Sequence, residues 1–533
     1  MNLLLLLCAV VLLASILGSK LSGRLGIPTL FFFIALGMLF GTDGLLKIDF
    51  ENYHLAEQVC SAALIFIMFY GGFGTKWSAA RPVARQSVLL STLGVVITAG
   101  LTGLFCRFVL GMGLAEGLLV GAVLGSTDAA SVFSVLRSQR LNLKYNTASL
   151  LEIESGSNDP CAYMLTVTLL AVLGGTASAG QVAVMLLEQV VWGVAIGVAV
   201  SWAAGYVLRR WPLTGGLDGI FLIAAALIAY ALPTLLGGNG YLSAYLAGIL
   251  LGNQDIPRKK SLAAFFDVFN NMMQILIFFL LGLLVFPSRL PAALLPAVGI
   301  ALFMTLIARP AAVFLLLRPF RAPLNQMLVV SWAGLRGAAS IVFAIVTTVS
   351  PAYGDESIFQ IVFCVVLLSI LIQGTLLPQV ARRAGMIDRH GNVLRTFNDY
   401  SEETSVGFIR VDVDAQHPWR GKPIRDITVF PGTLIAAILR QGKAIVPKGD
   451  TCLEEGDALI IGAKEYSGQD GIELSEILID PDSPLVGKTL READLRKDSL
   501  VVLIQREGHD IIPDGESRLC AGDMLVLYSR HGA

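Results

Sequence analysis

The sequence predicts a polytopic α-helical membrane protein of about 13 spans, followed by small α+β modules. Three observations carry that reading. Apolar letters make up 55% of the 533 residues and charged letters 15%, against about 25% charged in soluble domains. The mean hydropathy of +0.71 is concentrated in residues 1–380, whereas 398–533 are mixed and charged. The tail also repeats itself at a fixed offset. The same composition excludes several classes. Lys+Arg at 39 against Asp+Glu at 40 gives a net charge of −1, so no basic field invites nucleic acid. Seven scattered cysteines form no CxxC pair, so neither a disulfide framework nor a zinc site is expected.

A helix of ~20 residues crosses a ~30 Å hydrocarbon core. Windows of that length place spans near 2–19, 27–42, 56–74, 87–111, 114–136, 147–173 and 180–208. Six more follow near 217–234, 240–254, 267–286, 291–317, 323–349 and 357–379. The first window lacks a basic start and an A-x-A cleavage site, so it reads as a retained span rather than a signal peptide. Basic residues sort by connection. Seventeen lie in alternate loops, from Lys20 and Arg24 to Arg382 and Arg383, against three (Lys47, Arg107, Arg289) in the opposite set. The rich set marks the cytoplasmic side, which puts the N-terminus outside and the tail modules in the cytoplasm.

In the tail, Pro418-Trp419-Arg420-Gly421-Lys422 returns as Pro484-Leu485-Val486-Gly487-Lys488. Arg440 returns as Arg506 and Gly456-Asp457 as Gly522-Asp523, every pair offset by 66 residues. Each copy holds short β-branched runs between Gly, Pro and Asp turn signals, which predicts a small α+β module. The pattern resembles two tandem RCK C-terminal (TrkA-C) domains, over 405–465 and 472–533, joined by a 386–404 linker to a membrane domain at 1–385. No GxGxxG follows a strand before 405, so the nucleotide-binding half of a full RCK unit is not expected. By that resemblance the modules pair in a homodimer and bind a small ligand, such as a cyclic dinucleotide. The recurring Arg440 and Arg506, with Lys422 and Lys488, are its expected phosphate contacts.

Ionisable residues at mid-membrane are costly, and by default functional. Span 5 carries Gly125-Ser126-Thr127-Asp128-Ala129-Ala130-Ser131, and span 6 carries Glu154-Ser155-Gly156-Ser157-Asn158-Asp159-Pro160. Span 11 carries Arg309-Pro310 and span 12 carries Gly334-Leu335-Arg336-Gly337. On span 6, Ser155 and Asp159 share one helix face, as do Glu154 and Asn158. One face thus suits an oxygen-lined cation site, and the other a carboxylate for an ion pair. Spans 5 and 12 are both interrupted by Gly and small polar residues, and they are seven apart. An odd separation makes them antiparallel, as inverted repeats with crossed, broken helices require. A channel would need a Thr-Val-Gly-Tyr-Gly filter, which is missing. An intramembrane enzyme would need catalytic His or paired Asp motifs, and the five histidines all lie outside the spans.

These motifs resemble the cation/proton antiporter superfamily, in its NhaP-type, sodium/proton-exchanger-like branch, across essentially all of 1–380. The family's Thr-Asp pair falls on Thr127-Asp128, and its Glu-Ser-x-x-Asn-Asp on Glu154, Ser155, Asn158 and Asp159. Its Ala-Arg-Pro falls on Ala308-Arg309-Pro310, and its Gly-x-Arg-Gly on Gly334, Arg336 and Gly337. An acidic residue that some relatives place near the end of span 3 has no counterpart in Phe69-Tyr70-Gly71-Gly72-Phe73. The resemblance implies secondary active exchange in a bacterial inner membrane, with no cofactor and no enzymatic step. Asp159 would hold either a proton or a monovalent cation, with Thr127 and Ser155 completing the shell. Asn158 and Asp128 would steady the broken helices, Asp128 also approaching the ion. Glu154 would pair with Arg309 or Arg336. One carboxylate cycling between two states implies electroneutral exchange, and the resemblance of the tail to RCK modules implies K+ for H+, with Na+/H+ or mixed Na+/K+ antiport as the alternative and an RCK-gated channel as a remote one.

Overall fold

The computed structural model describes residues 9–18, 28–138, 141, 143–211, 216–388, 406–427, 429, 433–441, 443–464, 474–493, 499–506, 509–511 and 513–529. The chain divides into two compact units, Met1–Gly391 and Asn392–Ala533. In the first, apolar runs become helices because backbone in hydrocarbon must satisfy its own N–H and C=O groups. In chain order these are α1 (Ala9–Gly18), α2 (Thr29–Phe40), α3 (Tyr53–Gly74), α4 (Ala84–Phe108), α5 (Leu114–Val123) and α6 (Ala129–Ser138). There follow α7 (Thr147–Leu173), α8 (Ala179–Arg210), α9 (Leu217–Leu235), α10 (Gly240–Gly252) and α11 (Lys259–Leu283). The last are α12 (Leu290–Phe320), α13 (Leu324–Trp332), α14 (Ala338–Val349) and α15 (Ser357–Arg383).

Each predicted span therefore holds one helix or a broken pair, with α5 and α6 sharing span 5 and α13 and α14 sharing span 12. Among the described residues, seven helices are long and apolar enough to cross a membrane: α3, α4, α8, α9, α11, α12 and α15. The 27-residue α7 is not one of them, because Glu152, Glu154, Asn158 and Asp159 dilute its hydropathy.

Two features position the site. Helices approach through bare backbone: a side chain at Gly248 of α10 would meet the Phe69 carbonyl oxygen of α3 at 2.2 Å. One at Gly72 would meet the Tyr245 carbonyl at 2.3 Å, so only glycine permits this contact. Among the described residues, three helices also widen into π-helical turns, at Leu90–Gly94, Met304–Ala308 and Ser369–Gly374. The second delivers Arg309, and the third delivers Ser369 and Gln373, to the breaks described below.

The described residues of the second unit form two antiparallel four-stranded sheets. The first comprises β1 (Val406–Asp412), β2 (Leu434–Arg440), β3 (Lys443–Ile445) and β4 (Ala458–Lys464), in the order β1-β4-β2-β3. The second comprises β5 (Leu474–Leu478), β6 (Ser499–Arg506), β7 (His509–Ile511) and β8 (Met524–Ser529), in the order β5-β8-β6-β7. Both carry a register shift at matching positions, Ile435/Ala437 and Val501/Leu503. The helical content of the described residues here is one 3-10 turn, Ile424–Asp426. Ile438, Leu459 and Ile461 fill the first core, as Ile504, Leu525 and Leu527 fill the second.

Candidate functional site

The site grows from two helix breaks. Between α5 and α6 the chain is non-helical at 124–128, and between α13 and α14 at 333–337. The breaks touch. The Asp128 N–H donates to the Leu335 carbonyl at 2.8 Å. Arg336 donates from Nη1 to the carbonyls of Gly125 at 3.2 Å and Ser126 at 2.8 Å. A helix C-terminus leaves carbonyls without N–H partners and carries partial negative charge, so a buried guanidinium fits there. At the other side of the break Asp128 accepts from the Ser131 N–H at 3.3 Å and from its hydroxyl, capping α6. Gly337 makes the contact sterically feasible, since a Cβ there would sit 2.4 Å from the Asp128 Cβ.

α7 lays three polar residues against the first break. Asn158 donates from Nδ2 to Thr127 Oγ1 at 2.6 Å and accepts the Thr127 N–H at 3.2 Å. The Ser155 hydroxyl donates to the Thr127 carbonyl at 2.7 Å, and the Ser126 hydroxyl donates to Asp159 Oδ1. Asn158 is wholly buried, and Asp159, Thr127 and Ser155 are at least nine-tenths buried. One residue earlier on α7, Glu154 meets Arg309 of α12 at 2.5 Å, both almost completely enclosed. Arg336 is thus not the ion-pair partner of Glu154: its guanidinium is drawn to the backbone carbonyls of the break instead. Its own N–H donates to Ser369 Oγ at 3.0 Å, and the Ser369 hydroxyl donates to Gln373 Oε1 at 2.5 Å. Arg309, Gly334, Arg336, Ser369 and Gln373 line a narrow cavity of about 10 Å³ behind the second break.

The structure thus gathers Thr127, Asp128, Ser155, Asn158 and Asp159 around one break, with Glu154, Arg309 and Arg336 close by. Three participants have no assignment from sequence: Ser126, Ser369 and Gln373. Ser126 stands inside the polar run of span 5, but a lone serine also suits close helix packing, so its type alone is silent. Ser369 and Gln373 sit in an apolar run whose π-turn leaves no mark on composition.

The tail arginines are each held within their own module. Arg440 donates to both Asp457 carboxylate oxygens at 2.8 Å, to the Cys452 carbonyl at 2.9 Å and to Glu454. Arg506 grips Asp523 at 2.7 and 2.8 Å and the Arg518 carbonyl at 2.6 Å. Their recurrence reflects a brace inside each module. The guanidinium holds the wholly buried Asp457 and Asp523 carboxyls below the usual carboxylate range. Lys422 and Lys488 are exposed, and their backbones complete matching bridges to Leu453 and Leu519.

Two crossed helix breaks around a buried carboxylate define an ion exchanger of the secondary-transporter kind. Residues 9–383 match the family of the transmembrane sodium/hydrogen exchangers, and this chain belongs to that family. Residues 408–465 and 474–531 each match the TrkA-C domain. The chain is 38% identical over 466 residues to the K(+)/H(+) antiporter NhaP2 of Shewanella sp. (strain MR-4), covering 85% of this chain and 80% of that one. It is 35% identical over 467 residues to the K(+)/H(+) antiporter NhaP of Alkalimonas amylolytica, covering 87% and 81%. The fold is also that of the sodium proton antiporter MjNhaP1 from Methanocaldococcus jannaschii at pH 8. That match has a TM-score of 0.63 and 24% identity, over 72% of this chain and 99% of that one.

Proposed function

We propose that this chain exchanges K+ for H+ at Asp159, one for one. The observation that carries the reading is a balance of charge around a single carboxylate. Glu154 is neutralised by Arg309, and the positive Arg336 and negative Asp128 brace the two ends of the same break. Asp159 is then the carboxylate whose charge can change without stranding another. Either a proton or a monovalent cation restores neutrality there, and both at once would exceed it. Ser126, Thr127 and Ser155 supply oxygens around the position a cation would take, while Asn158 holds the break in shape. Potassium is favoured over sodium by the named activity of the relatives at 35–38% identity and by the TrkA-C pair.

The proposal includes a homodimer in a bacterial inner membrane, a membrane domain over 1–385, and a 386–404 linker to modules at 405–465 and 472–533. The base-rich loops and those modules are cytoplasmic, and a nucleotide-type effector of the modules biases the transport cycle. ΔpH collapse in proteoliposomes, with K+ and Na+ titrated separately, tests the core of this reading. Asp159→Asn abolishes exchange, because an amide cannot trade a proton for a cation. Retained exchange in that variant removes Asp159 from the mechanism, and a response to Na+ alone overturns the potassium assignment.

A further inference from the structure

A second line of polar residues leads away from Asp159 toward the Tyr53 end of α3. One turn beyond Asp159 on α7 stands Tyr163. Its ring meets Tyr241 of α10 edge-on at 4.8 Å between centroids, and Tyr241 meets Tyr230 of α9 at 4.9 Å. Phe343 of α14 closes the cluster, 5.6 Å from Tyr163 and 6.0 Å from Tyr241. The three tyrosine rings thus pack together where α7, α9 and α10 meet, and α10 packs in turn against α3. The Ser61 hydroxyl donates to Glu57 Oε1 at 2.9 Å. Tyr53, Glu57 and Ser61 follow at i, i+4 and i+8, so they form one face of α3. At its outer end that face opens on a cavity of about 560 Å³, lined by Asp49, Glu51, Tyr53, His54 and Glu356 among others.

Packing alone does not account for this arrangement. Tyr241 is 1% exposed although an apolar Phe would fill the same volume at less cost in desolvation. Glu57, half-buried one turn inside α3, holds the Ser61 hydroxyl with its carboxylate. The residues also come from five helices that meet between the carboxylate-lined cavity and Asp159.

We propose that Glu57, Ser61, Tyr241, Tyr230 and Tyr163 form a gated route by which monovalent cations and protons pass between that cavity and Asp159. The rings are the gate, closed in this structure, and the carboxylate and hydroxyls replace water ligands along the way. The cavity lies on the base-poor face, so its external placement rests on the orientation proposed above. Glu356 is paired with Arg289 at 3.5 Å, so Asp49 and Glu51 keep the mouth negative, which raises the local cation concentration.

The test uses the full-length chain with its seven cysteines replaced and Ser61→Cys introduced, once that variant is shown to exchange. With Tyr241 present, a membrane-impermeant thiosulfonate reacts with Cys at position 61 slowly. Adding Tyr241→Ala raises the rate about tenfold from outside. Should that variant fail to reach the membrane, Tyr163→Ala opens the same seal from α7. In the otherwise native chain, Glu57→Gln raises the KM for K+ about tenfold with the maximal rate little changed, and Glu57→Asp recovers most of the loss. Equal reaction rates with and without the tyrosine ring overturn the gate, and an unchanged KM removes Glu57 from the route. Reaction only from the opposite face supports the gate and overturns the membrane orientation instead. Loss of exchange in Asp159→Asn is unaffected by any of these results.

Discussion

Glu154 and Arg309 take two charges out of water, and that is tolerable only while each keeps the other. Glu154→Gln leaves a guanidinium buried without its counter-charge, at a cost of about 3–5 kcal/mol. The expected result is a clear drop in the melting midpoint in detergent, with Glu154→Gln/Arg309→Met recovering most of it. A single variant that melts like the native protein would show that the pair contributes nothing to stability. The residue types of this site are readable in sequence, because Asp, Glu and Arg in hydrocarbon have few innocent explanations. Their partners are not. Arg309 and Arg336 occupy equally polar motifs, and a helix register shifted by the Met304–Ala308 π-turn decides that the former meets Glu154. Ser126 escapes for a different reason: a hydroxyl costs little in a membrane helix, so its presence carries little information.

At the scale of elements, the two breaks depend on each other. Any side chain at Gly337 would displace the root of Asp128, whose backbone N–H is already tied to Leu335. Gly337→Ala is therefore expected to abolish or severely slow exchange while the protein still inserts, as read by ΔpH collapse against membrane abundance. Native exchange rates in that variant would mean the breaks need not touch. Span positions were plain from apolar length, and the breaks from runs of Gly and small polar residues. The modules declared their strands through β-branched runs and their duplication through spacing. The Arg440–Asp457 brace was not readable, since an aspartate after glycine looks like any turn signal until β2 and β4 lie side by side.

For the whole molecule, the tail has its own acid limit. Asp457 and Asp523 have folded-state pKa values below those of the unfolded chain, through hydrogen bonds from Arg440 and Arg506. Their contribution is complete above the unfolded carboxylate value near ~3.9 and drains away as pH falls through the lower folded value. Amide exchange in 406–464 and 474–529 should rise steeply below about pH 4. Asp457→Asn should bring that loosening to neutral pH in the first module alone, and uniform protection down to pH 2 would remove the braces from the stability of the tail. Truncation after Gly385 should preserve exchange in vesicles and change its dependence on pH or on added nucleotide. Identical curves for the two forms would leave the modules with a purely architectural part.

The π-helical turns also bear on how such a chain can change length. A π-turn holds one residue more than the α-helix around it, so each of the three marks a place where a single deletion leaves an unbroken helix. Helix continuity and facing would both survive such an event, because the extra residue is taken up within the one wide turn. A deletion within Met304–Ala308 would thus leave Arg309 facing Glu154, whereas the same deletion in the regular helix before it would turn Arg309 away by ~100°. One-residue gaps in related chains should accordingly collect at these turns rather than elsewhere in the same helices.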